Sequence, residues 1–539
     1  MPSPWIGEFQ SEGGDVKPKM NYESEFIIVA SGAGNRRFEW QMINLSSFIA
    51  FHARRTPDQC ALKYRGEDVS YADFDDRIRR VGGWLTSRGI GADDVVAVLM
   101  KNSTAFLELV FATSHIGAVF LPINYRLSAD EVGYIVGNSG ARILIADGEF
   151  ASIAAGGAPV VLLDEAVQSG ATRLAPDITP APMHVRKPRE LMRLMYTSGT
   201  TDRPKGVMLT YENIYWTSAD HTLALGLNAE TRLLVVGPLY HVGALDLPGI
   251  AVLWHGGMLS VHRDFDPEQA LAAIEAEKLN AAWFAPVMTT SILTCPARNR
   301  YDVSSLKWAI GGGEKTPEVR IRAFSEFFEN ARYIDAYGLT ETCGGDTFME
   351  AGREIEKIGS TGRAIAHVEI EIRDDRGNGL ASGENGEICL RGPKITQGYW
   401  KDPEKTAAAF FGDWFRSGDV GYLDEDGFLY LTDRKKDMII SGGENIASSE
   451  VERVIYELPQ VREVAVIGLR DERWGERPVA IVVLADGSSL ALPDLTDHCR
   501  AKLAGFKVPK QLIIRDSLPR NPSGKVLKRV LRAELEANA

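Results

Sequence analysis

Hydroxyl and glycine residues crowd one short stretch of the chain, Tyr196-Thr197-Ser198-Gly199-Thr200-Thr201-Asp202-Arg203-Pro204-Lys205-Gly206. Backbone built from Thr197, Ser198, Gly199, Thr200 and Thr201 can bend closely around an anion. Its amides and hydroxyls donate to phosphate oxygens, and Lys205 adds positive charge. The GxxxxGK[ST] pattern is absent, so this is a different kind of phosphate loop. A second stretch, Tyr337-Gly338-Leu339-Thr340-Glu341-Thr342, sets one carboxylate among hydroxyls. That suits Mg²⁺, which takes few carboxylates and fills its shell with phosphate oxygens and water. Gly311-Gly312-Gly313-Glu314 removes side chains where a flat ring or an acyl chain could approach the backbone. Asp419, in Trp414-Phe415-Arg416-Ser417-Gly418-Asp419, offers two acceptor oxygens to a vicinal diol. Lys525 follows Pro519-Arg520-Asn521-Pro522-Ser523-Gly524 and precedes a basic helix. Taken singly, each has an ordinary reading: a turn, a strand-end loop, an exposed terminal lysine.

Such residues need a scaffold that converges on one place. Val95–Met100, Ala118–Pro122 and Ala141–Ala146 read as buried strands, with a helical stretch from Ser103 between the first two. Strand-like runs recur at Leu233–Val236, Met258–Val261, Ala281–Ala285 and Leu306–Ile310. Asp266-Pro267 caps a helix over Glu268–Leu279. This alternation predicts parallel sheets covered by helices, an α/β fold. Beyond about Ile365 the pattern turns β-rich, with Val368–Ile372 and Gly386–Leu390 as strands. Asp433-Arg434-Lys435-Lys436-Asp437 is a charged run fit for a linker. After it a small α+β domain is expected: a helix at Glu450–Glu457, a hairpin of Val464–Leu469 with Val479–Leu484, and a helix at Leu495–Leu503. The predicted organisation is an N-terminal extension (1–41), a large N-terminal domain (42–432, its β-rich part about 365–432), a hinge (433–437) and a small mobile C-terminal domain (438–539). Residues 151–190 are Ala/Pro-rich and give no assignment.

A chain of 539 residues exceeds one compact core. With 60 Lys+Arg against 73 Asp+Glu the net charge is −13, which argues against a general nucleic-acid or anionic-membrane binder. Anionic ligands must then be held by local donors. Cys60, Cys295, Cys343, Cys389 and Cys499 are scattered and show no CxxC spacing, so neither a disulfide framework nor a zinc site is expected, and a reducing cytoplasm fits. The longest apolar run, Leu109–Ile123, falls short of the roughly 18–20 residues a membrane span requires. The first residues lack a basic region followed by an apolar core, so no secretion signal is expected.

The phosphate-loop string resembles the signature of the adenylate-forming superfamily, which includes acyl-CoA synthetases, luciferases and peptide-synthetase adenylation domains. The companion motifs follow in that superfamily's order, from about Leu45 to Val530. The resemblance implies ATP, Mg²⁺ and coenzyme A as reactants. It places Tyr337 on adenine, with Gly338, Gly313 and Glu314 beside it. Thr340 or Thr342 lies near the α-phosphate, and Thr197 and Glu341 hold Mg²⁺. Asp419 and Arg434 take the ribose hydroxyls, Lys436 is the pivot, and Gly442 and Gly443 in Ser441-Gly442-Gly443-Glu444-Asn445 line the pantetheine path. Lys525 becomes the catalytic lysine of adenylation. Asp202 and Asp433 depart from the pattern, which has Gly at both positions.

The same resemblance puts His241, in Pro238-Leu239-Tyr240-His241-Val242-Gly243, near the substrate carboxylate. Val242, Gly243, Trp283, Gly311, Ala336 and Cys343 line the acyl pocket. The glycines leave room and Trp283 fills one side, which suggests a medium-chain or aromatic (cinnamate-type) acid. Three alternatives stand beside the acyl-CoA synthetase reading: an adenylation enzyme loading a carrier protein, a luciferase-like oxidase, and a non-catalytic nucleotide-binding homologue. Oligomeric state, a homodimer included, is left open.

Overall fold

The computed structural model describes residues 44–163, 171, 178–197, 203–312, 316, 318–434, 437–441, 444–471, 473–520 and 526–537. Within them the fold is mixed α/β, organised on four sheets. The extension 1–41 lies outside the described residues, as do Ser198, Gly199, Thr200, Thr201, Asp202, Gly313, Glu314, Lys436, Gly442, Gly443 and Lys525.

The first sheet runs Val160–Leu163, Ile143–Asp147, Val95–Leu99, Val119–Pro122, Leu191–Thr197, Lys205–Thr210. All neighbours are parallel except the last pair, which is antiparallel. The second, of nine described strands, has a parallel centre: Arg332–Tyr337, Trp308–Gly312, Ala281–Phe284, Arg232–Val235, Met258–Val261 and Cys60–Tyr64. Strands sandwiched between layers have no polar face, hence the continuous apolar runs seen in the sequence. The helix Thr104–His115 is buried along its whole length, and Ser103 caps it by accepting from the Phe106 amide. Asp266 caps Pro267–Glu277 in the same way, through the Gln269 amide, with Pro267 in the first turn.

The third sheet is antiparallel and holds Glu369–Arg373, Gly386–Arg391, Trp414–Leu423 and Leu429–Arg434. The fourth is built on the long pair Val461–Asp471 and Gly475–Leu484, covered by the helices Ser448–Ile455 and Lys528–Ala537. Two expectations shift. The strand placed at Leu306–Ile310 is Trp308–Gly312, because its pairing with Arg332–Tyr337 continues to Gly312 opposite Ala336. Gly311 and Gly312 therefore belong to a strand instead of a free loop. The helix expected at Leu495–Leu503 begins earlier, Leu492–Arg500, with Pro493 in its first turn.

Among the described residues no helix is long and apolar enough to cross a membrane. All five cysteines are free thiols, and only Cys60 is partly exposed.

Candidate active site

Thr197 ends the strand Leu191–Thr197 and lies opposite Lys205 on the returning strand, so the two flank the phosphate-loop turn. The Lys205 ammonium sits over the Tyr399 ring, 4.9 Å from its centre. The Tyr399 hydroxyl in turn donates to Glu341 Oε1 at 3.0 Å. Glu341 occupies the short helical turn Thr340–Thr342, and the Thr396 amide donates to its backbone carbonyl at 2.7 Å. Burial raises the Glu341 carboxyl above its ordinary range, against the Tyr399 hydrogen bond and the Lys205 charge, which favour the anion. A carboxylate kept in weakly solvated surroundings, beside hydroxyls, is a donor set that fits Mg²⁺ bound mainly through phosphate oxygens.

Tyr337 and Asp419 meet directly: the phenol donates to Asp419 Oδ2 at 3.0 Å, and both side chains are buried. Burial and the neighbouring carboxylate hold the Tyr337 phenol well above its usual range. Asp419 pairs across the sheet with Arg434, so the two residues expected at the ribose come from adjacent strands. Glu341 also feels the Asp419 charge, which makes the Lys205–Glu341 group and the Tyr337–Asp419 group one electrostatic neighbourhood. Gly338 has no room for a side chain, since a Cβ there would stand 2.3 Å from the Gly345 amide.

On the acyl side, His241 precedes the turn Val242–Ala244, and its Nδ1 accepts from the Gly243 amide at 3.0 Å. In the neutral ring the proton then sits on Nε2, which leaves that nitrogen as the donor. The Trp283 indole is wedged against two glycines. A methyl group on Gly237 would stand 2.5 Å from it, and one on Gly243 2.7 Å. Trp283, Ala336, Tyr337 and Leu247 belong to one buried cluster, with Val242 and Cys343 also buried nearby. Burial pushes the Cys343 thiol to about 12, so it is a packing group and not a nucleophile. At Gly311 a Cβ would fall 1.7 Å from the Tyr333 hydroxyl, which bonds Thr316 Oγ1 at 2.7 Å.

Sequence reasoning passed over three side chains here. Tyr399 carries Glu341. Asp335 is a buried carboxylate between the apolar Ile334 and Ala336, opposite Gly311. Lys394 lies beneath the Glu341 loop. Only Asp335 had a local signal, a charge between apolar neighbours. Asp433, a departure from the expected glycine, has a structural use: its Oδ2 accepts from the Ser448 amide at 2.6 Å and the Ser448 hydroxyl at 2.7 Å, capping the helix Ser448–Ile455 from the preceding sheet.

The family model for the AMP-binding enzyme matches residues 49–400, and that for the AMP-binding enzyme C-terminal domain matches residues 450–525. A feruloyl-CoA synthase of Amycolatopsis sp is 38% identical over 489 residues, 90% of this chain and 98% of its own length. The long-chain-fatty-acid–CoA ligase FadD13 of Mycobacterium tuberculosis is 36% identical over 475 residues, 87% of this chain and 93% of its own. The solved o-succinylbenzoate CoA synthetase (MenE) of Bacillus subtilis, in complex with its acyl-adenylate intermediate, superposes with a TM-score of 0.82 at 29% identity, covering 91% of this chain and 99% of that one. The chain belongs to the AMP-binding enzyme family, and within it to the AMP-forming acid–CoA ligases.

Proposed function

We propose that this ligase converts a medium-chain or aromatic carboxylic acid, ATP and coenzyme A into acyl-CoA, AMP and pyrophosphate through an acyl-adenylate. The observation that carries the choice of acid is the Trp283 indole, wedged against Gly237 and Gly243 close to His241. We read the indole as the wall that would stop a long chain and offer a flat apolar face to a ring. Two of the relatives are named for feruloyl and succinylbenzoate substrates, and a third for long-chain fatty acids.

In the first half-reaction a carboxylate oxygen of the acid attacks the α-phosphorus and pyrophosphate leaves. Two anions must approach while charge grows on the leaving group, so fixed cations and donors are required. Lys205 and the hydroxyls and amides of 197–201 supply them from the loop. Lys525 supplies a cation from the C-terminal part. Tyr337 and Asp419 hold the nucleoside, with Arg434 at the ribose. His241 donates from Nε2 to the acid's carboxylate and orients it. Thr197 and Glu341 would hold Mg²⁺, which contributes charge neutralisation when bound. In the second half-reaction the thiol attacks the acyl carbonyl and AMP leaves. The part beyond 433–437 turns about Lys436, withdraws Lys525 and brings Gly442 and Gly443 to the thiol.

A panel of acids tests this reading through acid-dependent AMP release with CoA. Cinnamate-type acids and hexanoate to decanoate should exceed acetate and palmitate in kcat/KM by at least about tenfold, the discrimination expected of a hydrophobic pocket. Palmitate as the best substrate, or AMP release indifferent to added acid, would sink it. Trp283→Ala should move the preference toward longer acids, raising the decanoate-to-cinnamate ratio of kcat/KM by roughly 10- to 100-fold. An unchanged ratio would mean that the indole is not a pocket wall.

A further inference from the structure

Residues 393–400 form an irregular strap that ties together three parts of the site. The Asn213 side-chain amide donates to the Pro393 and Ile395 carbonyls at 2.9 and 3.0 Å. The Thr396 hydroxyl donates to the Met208 carbonyl at 2.7 Å, and the Trp400 amide to the Gly206 carbonyl at 2.7 Å. These bonds fix the strap to the strand leaving the phosphate loop, Lys205–Thr210, and to the helix Tyr211–Leu225 that follows it. On its other side the strap meets residues 339–346, through Thr396 and Tyr399 at Glu341 and through Lys394.

Lys394 is the unusual member. Its side chain is fully buried, and its ammonium reaches three acceptors: the Gly344 carbonyl at 2.7 Å, the Gly345 carbonyl at 2.7 Å and Asp346 Oδ1 at 3.0 Å. The two carbonyls take hydrogen bonds, and Asp346 Oδ1 supplies the opposite charge at ion-pair distance without one. Gly344 and Gly345 adopt left-handed backbone, φ +74° and +63°, and both of their carbonyls are collected by the one cation. Asp346 passes the constraint onward: its other oxygen accepts from the Thr342 hydroxyl, and its amide donates to the Tyr337 carbonyl at 2.7 Å. The Gly344 amide closes the loop onto the Leu339 carbonyl at 2.8 Å. Glu341 sits inside this closed ring.

We propose that Lys394 is a positioning residue: it fixes the 339–346 loop from below so that Glu341 is presented to the metal-bound triphosphate. This rests on the reading of Glu341 as a metal ligand given above. A charge buried to this degree needs compensation, and here the hydrogen bonds run to the backbone of the loop while Asp346 supplies the countercharge. The strap therefore makes the metal-binding geometry depend on a residue that touches neither metal nor nucleotide.

Removing Lys394 alone strands the Asp346 charge, so the working variant is Lys394→Met/Asp346→Asn, with Asp346→Asn as its control. Mn²⁺ binding in the presence of α,β-methylene-ATP is followed by electron paramagnetic resonance, and metal-free AMP binding by calorimetry. In the double variant the Mn²⁺ Kd should rise by about tenfold or more, the loss typical of a group behind a metal ligand. AMP affinity should stay within about threefold, since Tyr337 and Asp419 remain paired; the control, which keeps the two ammonium bonds to the loop carbonyls, should raise the Mn²⁺ Kd less than the double variant does. If the double variant does not fold, Lys394→Arg takes its place, because a planar fork cannot reproduce the three ammonium contacts, and the same split is expected. Unaltered Mn²⁺ affinity in a folded variant overturns the proposal. Failure of the unmodified enzyme to bind Mn²⁺ with the nucleotide would instead overturn the reading of Glu341.

Discussion

Lys525→Ala should lower acid-dependent pyrophosphate exchange by about 10²–10³-fold, the loss associated with one oriented donor at a developing charge. Thioester formation from preformed acyl-adenylate should fall far less. The asymmetry follows from the chemistry. Only the first step brings an anionic carboxylate against a polyphosphate and leaves charge on pyrophosphate. In the second, AMP departs from an acyl carbonyl under attack by a thiol, and a cation withdrawn with the C-terminal part contributes nothing there. The two rates are measured separately, by exchange of labelled pyrophosphate and by rapid mixing of acyl-adenylate with CoA. Equal losses in both would contradict the division of labour.

The second large effect concerns stability. Arg193→Met should destabilise the fold by about 3–5 kcal/mol, seen as a lower denaturant midpoint, because it leaves a buried carboxylate unpaired. Arg193 and Asp246 are both buried, and Nη1 of Arg193 donates to both Asp246 oxygens at 2.8 and 2.6 Å. The guanidinium is incompletely used: its Nε and Nη2 find no hydrogen-bond partner among the described residues. The pair is therefore costly to bury, and Arg193→Met/Asp246→Leu should recover most of the loss. The position matters for function as well. Arg193 lies on the strand that enters the phosphate loop, and Asp246 follows the His241 turn, so the pair joins the phosphate side to the acyl side. A double variant as unstable as Arg193→Met would show that Arg193 acts through its packing and not through its charge.

These pairings explain what could be read from the sequence and what could not. Strands such as Val95–Leu99 and Ala281–Phe284 are legible because their burial on two faces leaves an uninterrupted apolar run. The helix Pro267–Glu277 is legible because its cap is local, three residues from the amide it serves. Tyr337, Glu341, Asp419 and Lys205 were recognisable from their local motifs, and the fold brings them into one neighbourhood. Arg193, Lys394 and Tyr399 were not, since the groups that make them meaningful lie about fifty or more residues away. Lys394 after a proline looks like any solvated loop lysine until Gly344 and Gly345 close over it. The missing side chain of Gly311 accommodates Tyr333, another demand no local pattern reveals.

Asp433 carries a consequence for the resting enzyme. Its carboxylate caps the helix Ser448–Ile455 from across the proposed pivot. A rotation about 433–437 that draws this helix away must leave the Ser448 amide to water. Caps of this kind are worth about 0.5–2 kcal/mol, a bias of roughly 2- to 30-fold in a conformational equilibrium. Under the proposed rotation, the cap would tip the idle population toward the arrangement in which it is made, and turnover would have to lift that weight once per cycle.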